Sequence, residues 1–300
     1  MDRPIVECVP NFSEGRDAGV VTRIAEAIAS VPSAAVLDQT SDPDHNRSVI
    51  TFAGSPEAVA EAAFRAIRRA VELIDLSRHG GVHPRIGAAD VVPLVPVAGV
   101  TLEFCAQLAT QLGERVWRDL HVPVYLYEAA ARRPERKNLA NIRRGRFETL
   151  REAVCHDPER MPDFGEAALH PTAGASVIGA RKFLIAFNIN LDTSDVEIAR
   201  RIARKIRASS GGLPAVKALG LFLESRGQAQ VSINLTDFEI TPLCAVVDAV
   251  REESKRWGAR IANTELIGLI PRKALETAGG CELSLRAGQI LENRLQECLR

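Results

Sequence analysis

Fourteen residues, Ser77 to Asp90, hold two histidines, two arginines and three glycines between an apolar helical stretch and an apolar run. In order they read Ser77-Arg78-His79-Gly80-Gly81-Val82-His83-Pro84-Arg85-Ile86-Gly87-Ala88-Ala89-Asp90. Histidine takes and gives a proton near neutral pH, and glycines let the backbone approach a substrate closely. Proton-transfer chemistry is therefore the first expectation. Together with His45, the two histidines would also make a three-histidine metal set. No carboxylate stands at the helical HExxH spacing that hydrolytic zinc sites carry, so a metal-dependent amidohydrolase is the lesser alternative.

Three further segments concentrate polar groups where a packed core would not require them. Pro10-Asn11-Phe12-Ser13-Glu14-Gly15-Arg16 reads either as a loop closing over a ligand or as a strand-to-helix turn capped by Ser13. Ser41-Asp42-Pro43-Asp44-His45-Asn46-Arg47 is longer than a tight hairpin turn needs, and a hydrogen-bonded Asx turn accounts for it equally well. Asp163-Phe164-Gly165 through Gly174-Ala175 is small and polar enough to wrap a planar ligand, or is simply the connection between two subdomains; it lacks the spacing of a Walker loop. Arg132 to Arg146 holds seven Arg or Lys against Glu135, for which a solvated helix face is a plainer reading than a polyanion site. Neither a GxSxG elbow, nor a GxGxxG turn, nor a kinase motif set occurs.

The elements that must position these groups follow from periodicity. Ile5 to Val9 reads as strand, Val20 to Val31 as helix, Ala34 to Leu37 and Ser48 to Phe52 as strands around a turn-rich Asp38 to Arg47, with Ser55 capping a helix that opens on Pro56 and runs to about Ser77. Asp90 to Val97 is strand, Leu102 to Leu120 helix and Val122 to Leu126 strand. A basic helical stretch then ends near Cys155, and a loop from Pro158 to Gly179 closes this half. The second half reads Lys182 to Leu191 strand, Ser194 to Arg207 helix, Ala215 to Leu223 and Gln230 to Leu235 strands, Pro242 to Trp257 helix, and Arg260 to Leu269 strand. Each half carries the order βαββαβ. That predicts an α/β (α+β) protein of two ferredoxin-like split-βαβ subdomains, residues 1–180 and 181–300, whose open sheet faces are covered by a ligand cleft between them or by a dimer contact.

Composition agrees. At 300 residues the length suits two domains, and 38 Lys plus Arg against 38 Asp plus Glu leave no net charge, so the global positive field of a nucleic-acid binder is missing. The longest apolar runs, Val91 to Val100 and Phe183 to Leu191, are too short to cross a bilayer as helices, and the start Met1 to Cys8 shows no secretory signal. No membrane role and a cytoplasmic location are therefore expected. Cys8, Cys105, Cys155, Cys244, Cys281 and Cys298 include no CxxC pair, which predicts reduced, mostly buried thiols; Cys8, beside the first polar loop, is a nucleophile only if a base lies next to it.

Glu7-Cys8-Val9-Pro10-Asn11-Phe12-Ser13-Glu14-Gly15, Asp44-His45-Asn46-Arg47 with Phe52 and Gly54 beyond it, Arg78-His79-Gly80-Gly81-Val82-His83-Pro84-Arg85-Ile86-Gly87, Val122-Pro123-Val124-Tyr125-Leu126-Tyr127 and Gly179 to Leu191 resemble the glutamate formimidoyltransferase family. The resemblance runs nearly the whole chain in order. It implies a homodimer of two α/β subdomains that moves a formimidoyl group between N-formimidoyl-L-glutamate and N5 of tetrahydrofolate, in histidine degradation and one-carbon metabolism. In bifunctional members this domain precedes a cyclodeaminase domain; ending at residue 300, the chain is expected to be a stand-alone transferase with a separate cyclodeaminase as a candidate partner. The family's catalytic histidine falls on His83. Its folate-binding loop falls on Gly165, Glu166, Ala167, Ala168, Leu169, His170, Pro171, Thr172, Ala173 and Gly174, with Thr172-Ala173 where bulkier residues occur elsewhere. Asn11, His45, Asn46, Arg47, His79, Arg85, Asn188 and Asn190 are the expected substrate contacts, with Arg47, Arg78 or Arg85 clamping a glutamate carboxylate. Tetrahydrofolate is the co-substrate, and because the formimidoyl carbon is already electrophilic no metal is expected. A glutamate formyltransferase acting on N-formyl-glutamate or 5-formyltetrahydrofolate, and a non-catalytic folate-binding protein, are the alternatives.

Overall fold

The computed structural model describes residues 3–276 and 283–299. Cys281 lies outside them, as do Met1 and Asp2, where the reading of the N-terminus begins. The chain divides after Arg181 into two compact units, the second spanning Lys182–Glu297.

In the first unit the order is β1 (Ile5–Cys8), β2 (Asn11–Phe12), α1 (Ala18–Ala29), β3 (Ala34–Asp42), β4 (Arg47–Gly54), α2 (Pro56–Leu73) and β5 (Ala89–Ala98). β1 and β2 share one lane of the sheet. β4 flanks that lane on one side and β5 on the other, while β3 lies outside β4, and all these pairings are antiparallel. This is the strand arrangement of a split βαβ unit. α2 forms because Val59, Ala62, Ala63, Ala66, Ile67 and Ala70 fall on one buried face, and it starts where the Ser55 side chain accepts from the Ala58 N–H with Pro56 in the first turn. That face closes on Val6, Cys8, Ile50, Phe52, Val92 and Leu94 of the sheet, each fully buried. Every fully buried large apolar side chain of this kind contributes about 1.5–3 kcal/mol against the chain's ordering entropy.

The sheet does not stop there. α3 (Leu102–Leu120), β6 (Val124–Glu128), α4 (Leu139–Ile142), α5 (Arg146–Ala153) and β7 (Ser176–Ala180) follow, and β7 inserts between β5 and β6, parallel to both, giving seven strands. The expected loop from Pro158 to Gly179 therefore ends in a strand, whose five residues are all buried and so show no apolar-polar alternation to betray it. Two other expectations are corrected. β3 runs on through Gln39-Thr40-Ser41-Asp42, since as the edge strand paired to β4 it tolerates polar side chains. The basic stretch is not one helix: a 3-10 turn at Pro134–Lys137, α4 and α5 are separate, broken at Gly145 and Arg146, which both take positive φ.

The second unit contains β8 (Ile185–Leu191), α6 (Val196–Ile206), β9 (Val216–Leu223), β10 (Gln228–Leu235), α7 (Leu243–Arg256) and β11 (Ile261–Ile267), then α8 (Arg272–Glu276) and α9 (Leu291–Cys298). Its sheet order β11-β8-β10-β9 is antiparallel throughout and again that of a split βαβ unit. Along β8, Ile185, Phe187, Ile189 and Leu191 join the core made with Ile202, Val246 and Val250, which turns Asn188 and Asn190 to the opposite face.

Candidate functional site

The histidine-glycine segment is held from three directions. A 3-10 turn at Leu76–Arg78 opens it, with the Asp75 carboxylate accepting from the Ser77 N–H at 2.9 Å. Ser13 Oγ donates to Gly87 O at 2.7 Å and its N–H to Ala88 O at 2.9 Å, so Ser13 ties the first polar loop to this segment rather than capping α1, which Asp17 caps. Asn46, at φ 47°, accepts from the Gly15 N–H and donates to Gly80 O. The close approach explains two glycines: a Cβ on Gly15 would lie 2.3 Å from Asp42 O, and one on Gly81 would lie 2.4 Å from His45 O.

His45, Asn46, Arg47, His79, His83 and Arg85 come together in one small pocket, completed by Phe12, Ser13 and Asp90. The pocket is small and partly open, and all but one of its nine lining side chains are polar or charged. His83 is 8% exposed. Its Nδ1 lies 2.9 Å from Pro84 O and its Nε2 2.6 Å from Arg47 Nη1. A carbonyl only accepts and a guanidinium only donates, so Nδ1 carries the hydrogen and Nε2 holds the lone pair. Burial first, then Arg47, Arg143 and His45, hold the imidazole well below its ordinary range, so it is neutral at pH 7. The His45 ring lies 5.7 Å away, centroid to centroid.

His79 is differently employed. Its Nε2 is 2.9 Å from Asn46 O and its Nδ1 accepts from Arg85 Nε at 2.7 Å, leaving neither ring nitrogen for substrate. Burial is again the main reason its affinity for a proton is lowered. Arg85 also donates to His79 O and forks onto Glu148, at 2.8 Å and 3.2 Å to the two carboxylate oxygens. The same hydrogen bonds bear on the metal reading: His79 is saturated, and a guanidinium stands where a cation would meet His83 Nε2.

The charges of the site can be paired off. Arg85 has Glu148, and Arg143 from the basic stretch has Asp90, whose other oxygen accepts from the Ile86 N–H at 2.8 Å. Arg78, its side chain 88% exposed, lies 3.6 Å from Asp75. Arg47 has no carboxylate partner among the described residues; its one side-chain hydrogen bond is the one to His83, and its Nε is buried without an acceptor. Burial, and after it Arg143, pull this guanidinium down to about 9, which still leaves it a cation at neutral pH.

Other expected residues lie apart from the pocket. Asn11 donates to Val9 O at 2.8 Å and holds its own turn. In the segment Gly165–Gly174, Glu166, Ala167 and Ala168 are exposed, while His170 Nδ1 accepts from the Ala173 N–H at 3.0 Å to close a turn. Its end is stitched to the histidine segment: Leu76 N–H donates to Thr172 O, Ala88 N–H to Ala173 O and Ala175 N–H to Ile86 O. In the second unit Asn190 is committed to Gln230, Asn263 and Glu265. Asn188, 3% exposed, makes no side-chain hydrogen bond to a described residue. Cys8 is no nucleophile: burial, then the charge of Glu7, push its thiol well above the ordinary range.

Ser13, Asp90, Arg143 and Glu148 were not among the expected site residues. Ser13 and Asp90 both lie in the polar segments, and Asp90 carries a further signal, a carboxylate opening an apolar strand, which requires a partner once buried.

The model of the formiminotransferase domain, N-terminal subdomain, matches residues 5–181, and that of the formiminotransferase domain matches residues 186–295. A glutamate formimidoyltransferase of Thermoplasma acidophilum is 47% identical over 298 residues, 98% of this chain and 98% of the relative. One of Streptococcus pyogenes serotype M1 is 43% identical over 295 residues, 97% of this chain and 98% of the relative. A formimidoyltransferase-cyclodeaminase of Mus musculus is 47% identical over 277 residues, which span 90% of this chain but 51% of that protein.

Proposed function

The chain belongs to the formiminotransferase family, and on that premise we propose that it is a glutamate formimidoyltransferase, moving the formimidoyl group between N-formimidoyl-L-glutamate and N5 of tetrahydrofolate with His83 as the proton carrier. The observation that carries the role of His83 is its tautomer: a neutral, buried imidazole with its lone pair on Nε2, inside the pocket, and its hydrogen fixed on Pro84 O.

The reaction needs that arrangement. Attack of N5 on the formimidoyl carbon gives a tetrahedral carbon bonded to N5, the imino nitrogen and the glutamate nitrogen. N5 must then lose its proton, and the glutamate nitrogen must gain one before its bond to carbon breaks and glutamate leaves. His83 Nε2 takes the first proton and returns it to the second nitrogen, for a contribution of about 10²- to 10⁴-fold. While Nε2 holds the proton, the Nδ1–H bond to Pro84 O becomes charge-assisted and fixes the ring. Holding both substrates in line supplies much of the remaining acceleration.

In the same reading Gly165–Gly174 holds the folate, supported by the hydrogen bonds that join Thr172 and Ala173 to Leu76 and Ala88 on either side of His83. His45 faces the reacting centre, while Asn46, His79 and Arg85 act by fixing the loop. In the second unit Asn188 is the better substrate contact, since Asn190 is occupied by its neighbours. A cytoplasmic homodimer acting in histidine degradation, with a separate cyclodeaminase consuming its product, completes the proposal; the two-activity name of the mouse relative supports that last partner.

The test is turnover of tetrahydrofolate with N-formimidoyl-glutamate, followed as absorbance of the formimidoyl-tetrahydrofolate formed, with N-formyl-glutamate as a parallel donor. Formimidoyl transfer that a chelator leaves unchanged is expected. Transfer from the formyl donor alone, or folate binding with no transfer, would overturn the assignment.

A further inference from the structure

The proton-carrying role of His83 has a requirement that this structure does not meet. To take a proton from N5, Nε2 needs its lone pair free, and that lone pair is occupied by Arg47 Nη1 at 2.6 Å. The guanidinium has to leave before chemistry begins. It is also the one arginine at the site with no carboxylate partner among the described residues, since Arg85 is forked onto Glu148 and Arg143 is paired with Asp90. Its Nε–H, buried with no acceptor, leaves a strong donor unmet.

From these observations we infer that Arg47 is the receptor for the α-carboxylate of the donor substrate, and that pairing with it draws the guanidinium off His83 Nε2 and so frees the base only when the donor is in place. The inference rests on the proposed function. A carboxylate offers the guanidinium a full opposite charge and a second, parallel hydrogen bond where the neutral imidazole offers one lone pair, so the exchange runs toward the substrate. The donor's α-carboxylate, not the folate's glutamate tail, is the group assigned, because it stands on the carbon bearing the departing nitrogen. The folate tail is a whole p-aminobenzoyl group away from N5. Asp42 and Asp90, which face Arg47 without an ion pair to it, favour its return to the resting position once the product has left.

The coupling can be measured with donor and enzyme truncated in turn. 4-(Formimidoylamino)butanoate keeps the side-chain carboxylate and lacks the α-carboxylate. On the unaltered enzyme its kcat/KM should fall about 10- to 100-fold below that of N-formimidoyl-glutamate, the effect of losing a charged hydrogen-bond pair. Arg47→Met should show a similar fall with N-formimidoyl-glutamate and almost no further fall with the truncated donor. Arg47→Lys, which keeps the charge without the fork, should lie between. Tetrahydropteroate, which lacks the glutamate tail, should suffer the same loss on Arg47→Met as tetrahydrofolate does. Penalties that multiply for enzyme and donor, or an Arg47→Met loss that disappears with tetrahydropteroate, would overturn the inference.

A readout independent of turnover is the imidazole ¹⁵N spectrum of the unaltered protein. Glutarate, a dicarboxylate with no transferable group, should shift the His83 Nε2 resonance as Arg47 withdraws; saturation by glutarate with that resonance unmoved would refute the exchange. A protein that answers glutarate in this way but transfers no formimidoyl group would contradict the proposed reaction and not the exchange.

Discussion

Asp163 stands two residues before the segment Gly165–Gly174 proposed to hold folate, and its carboxylate is tied to the fold by a buried ion pair. Arg136 Nη1 lies 2.6 Å from Asp163 Oδ2, with each side chain 4% exposed. The same oxygen accepts from the Leu126 N–H at 2.8 Å. Arg136 also donates to Glu159 O and Met161 O and stacks 5.2 Å over the Tyr125 ring. Asp163→Asn keeps the shape and an acceptor for Leu126 while removing the charge. Removing one partner of a buried pair costs about 3–5 kcal/mol, and the two carbonyls left to Arg136 place the expected loss at the low end, about 3 kcal/mol. At about 2–4 °C per kcal/mol for a unit of this size, melting should fall by about 6–12 °C. Adding Arg136→Met should recover part of this, since the uncompensated cation then disappears. Differential scanning calorimetry on the four proteins of the cycle measures it, and calorimetric titration with tetrahydrofolate should show weaker binding for the single Asp163 variant. Melting within about 2 °C of the unaltered protein would refute the argument that this pair anchors the loop.

Gly81→Ala puts a Cβ 2.4 Å from His45 O, whereas Gly80→Ala meets nothing within 4 Å. The first should lower kcat/KM about 100-fold by displacing the His79–His83 loop, and the second should change it little; equal effects in steady-state assays would contradict the close approach. Because burial, Arg47 and Arg143 hold His83 well below 6.5, the acid limb of kcat/KM should lie below pH 6.5, and Arg47→Met should move it upward. The sign for stability follows from the same shift. Below about pH 6.5 the unfolded chain binds a proton at this histidine that the folded one does not, so His83 costs stability as pH falls, and His83→Gln should flatten that part of a urea-midpoint profile.

Much of this fold was legible because its main periodicities are unambiguous. The apolar positions of α2 and β8 fix which face each element buries, and the order βαββαβ in each half led to the two antiparallel split-βαβ arrangements, the first of which β7 and β6 extend by parallel pairing. The failures share a cause, since each element in question takes its character from a distant neighbour. β7 is covered on one face by α3 and on the other by α4 and α5 and so lacks alternation, and β3 extends through polar residues because β4 supplies its ladder. At the site, the residue types of the histidine segment and of His45-Asn46-Arg47 marked where polar chemistry would gather, and the chain brings both to one pocket. What local sequence could not show is the pairing of charges. Arg85 meets Glu148 across 63 residues and Arg143 meets Asp90 across 53, and the first of these pairings, with the exposure of Arg78, singles out Arg47 among the candidate arginines.

The account turns on His83 as the proton carrier. The most direct measurement is single-turnover transfer from N-formimidoyl-glutamate to tetrahydrofolate by His83→Ala, with folate binding measured by titration calorimetry on the same preparation and imidazole added as a rescue. The account predicts transfer slowed by about 10²- to 10⁴-fold, partly restored by imidazole, with folate affinity kept. Transfer at the unaltered rate by a folded variant lacking this imidazole would contradict it.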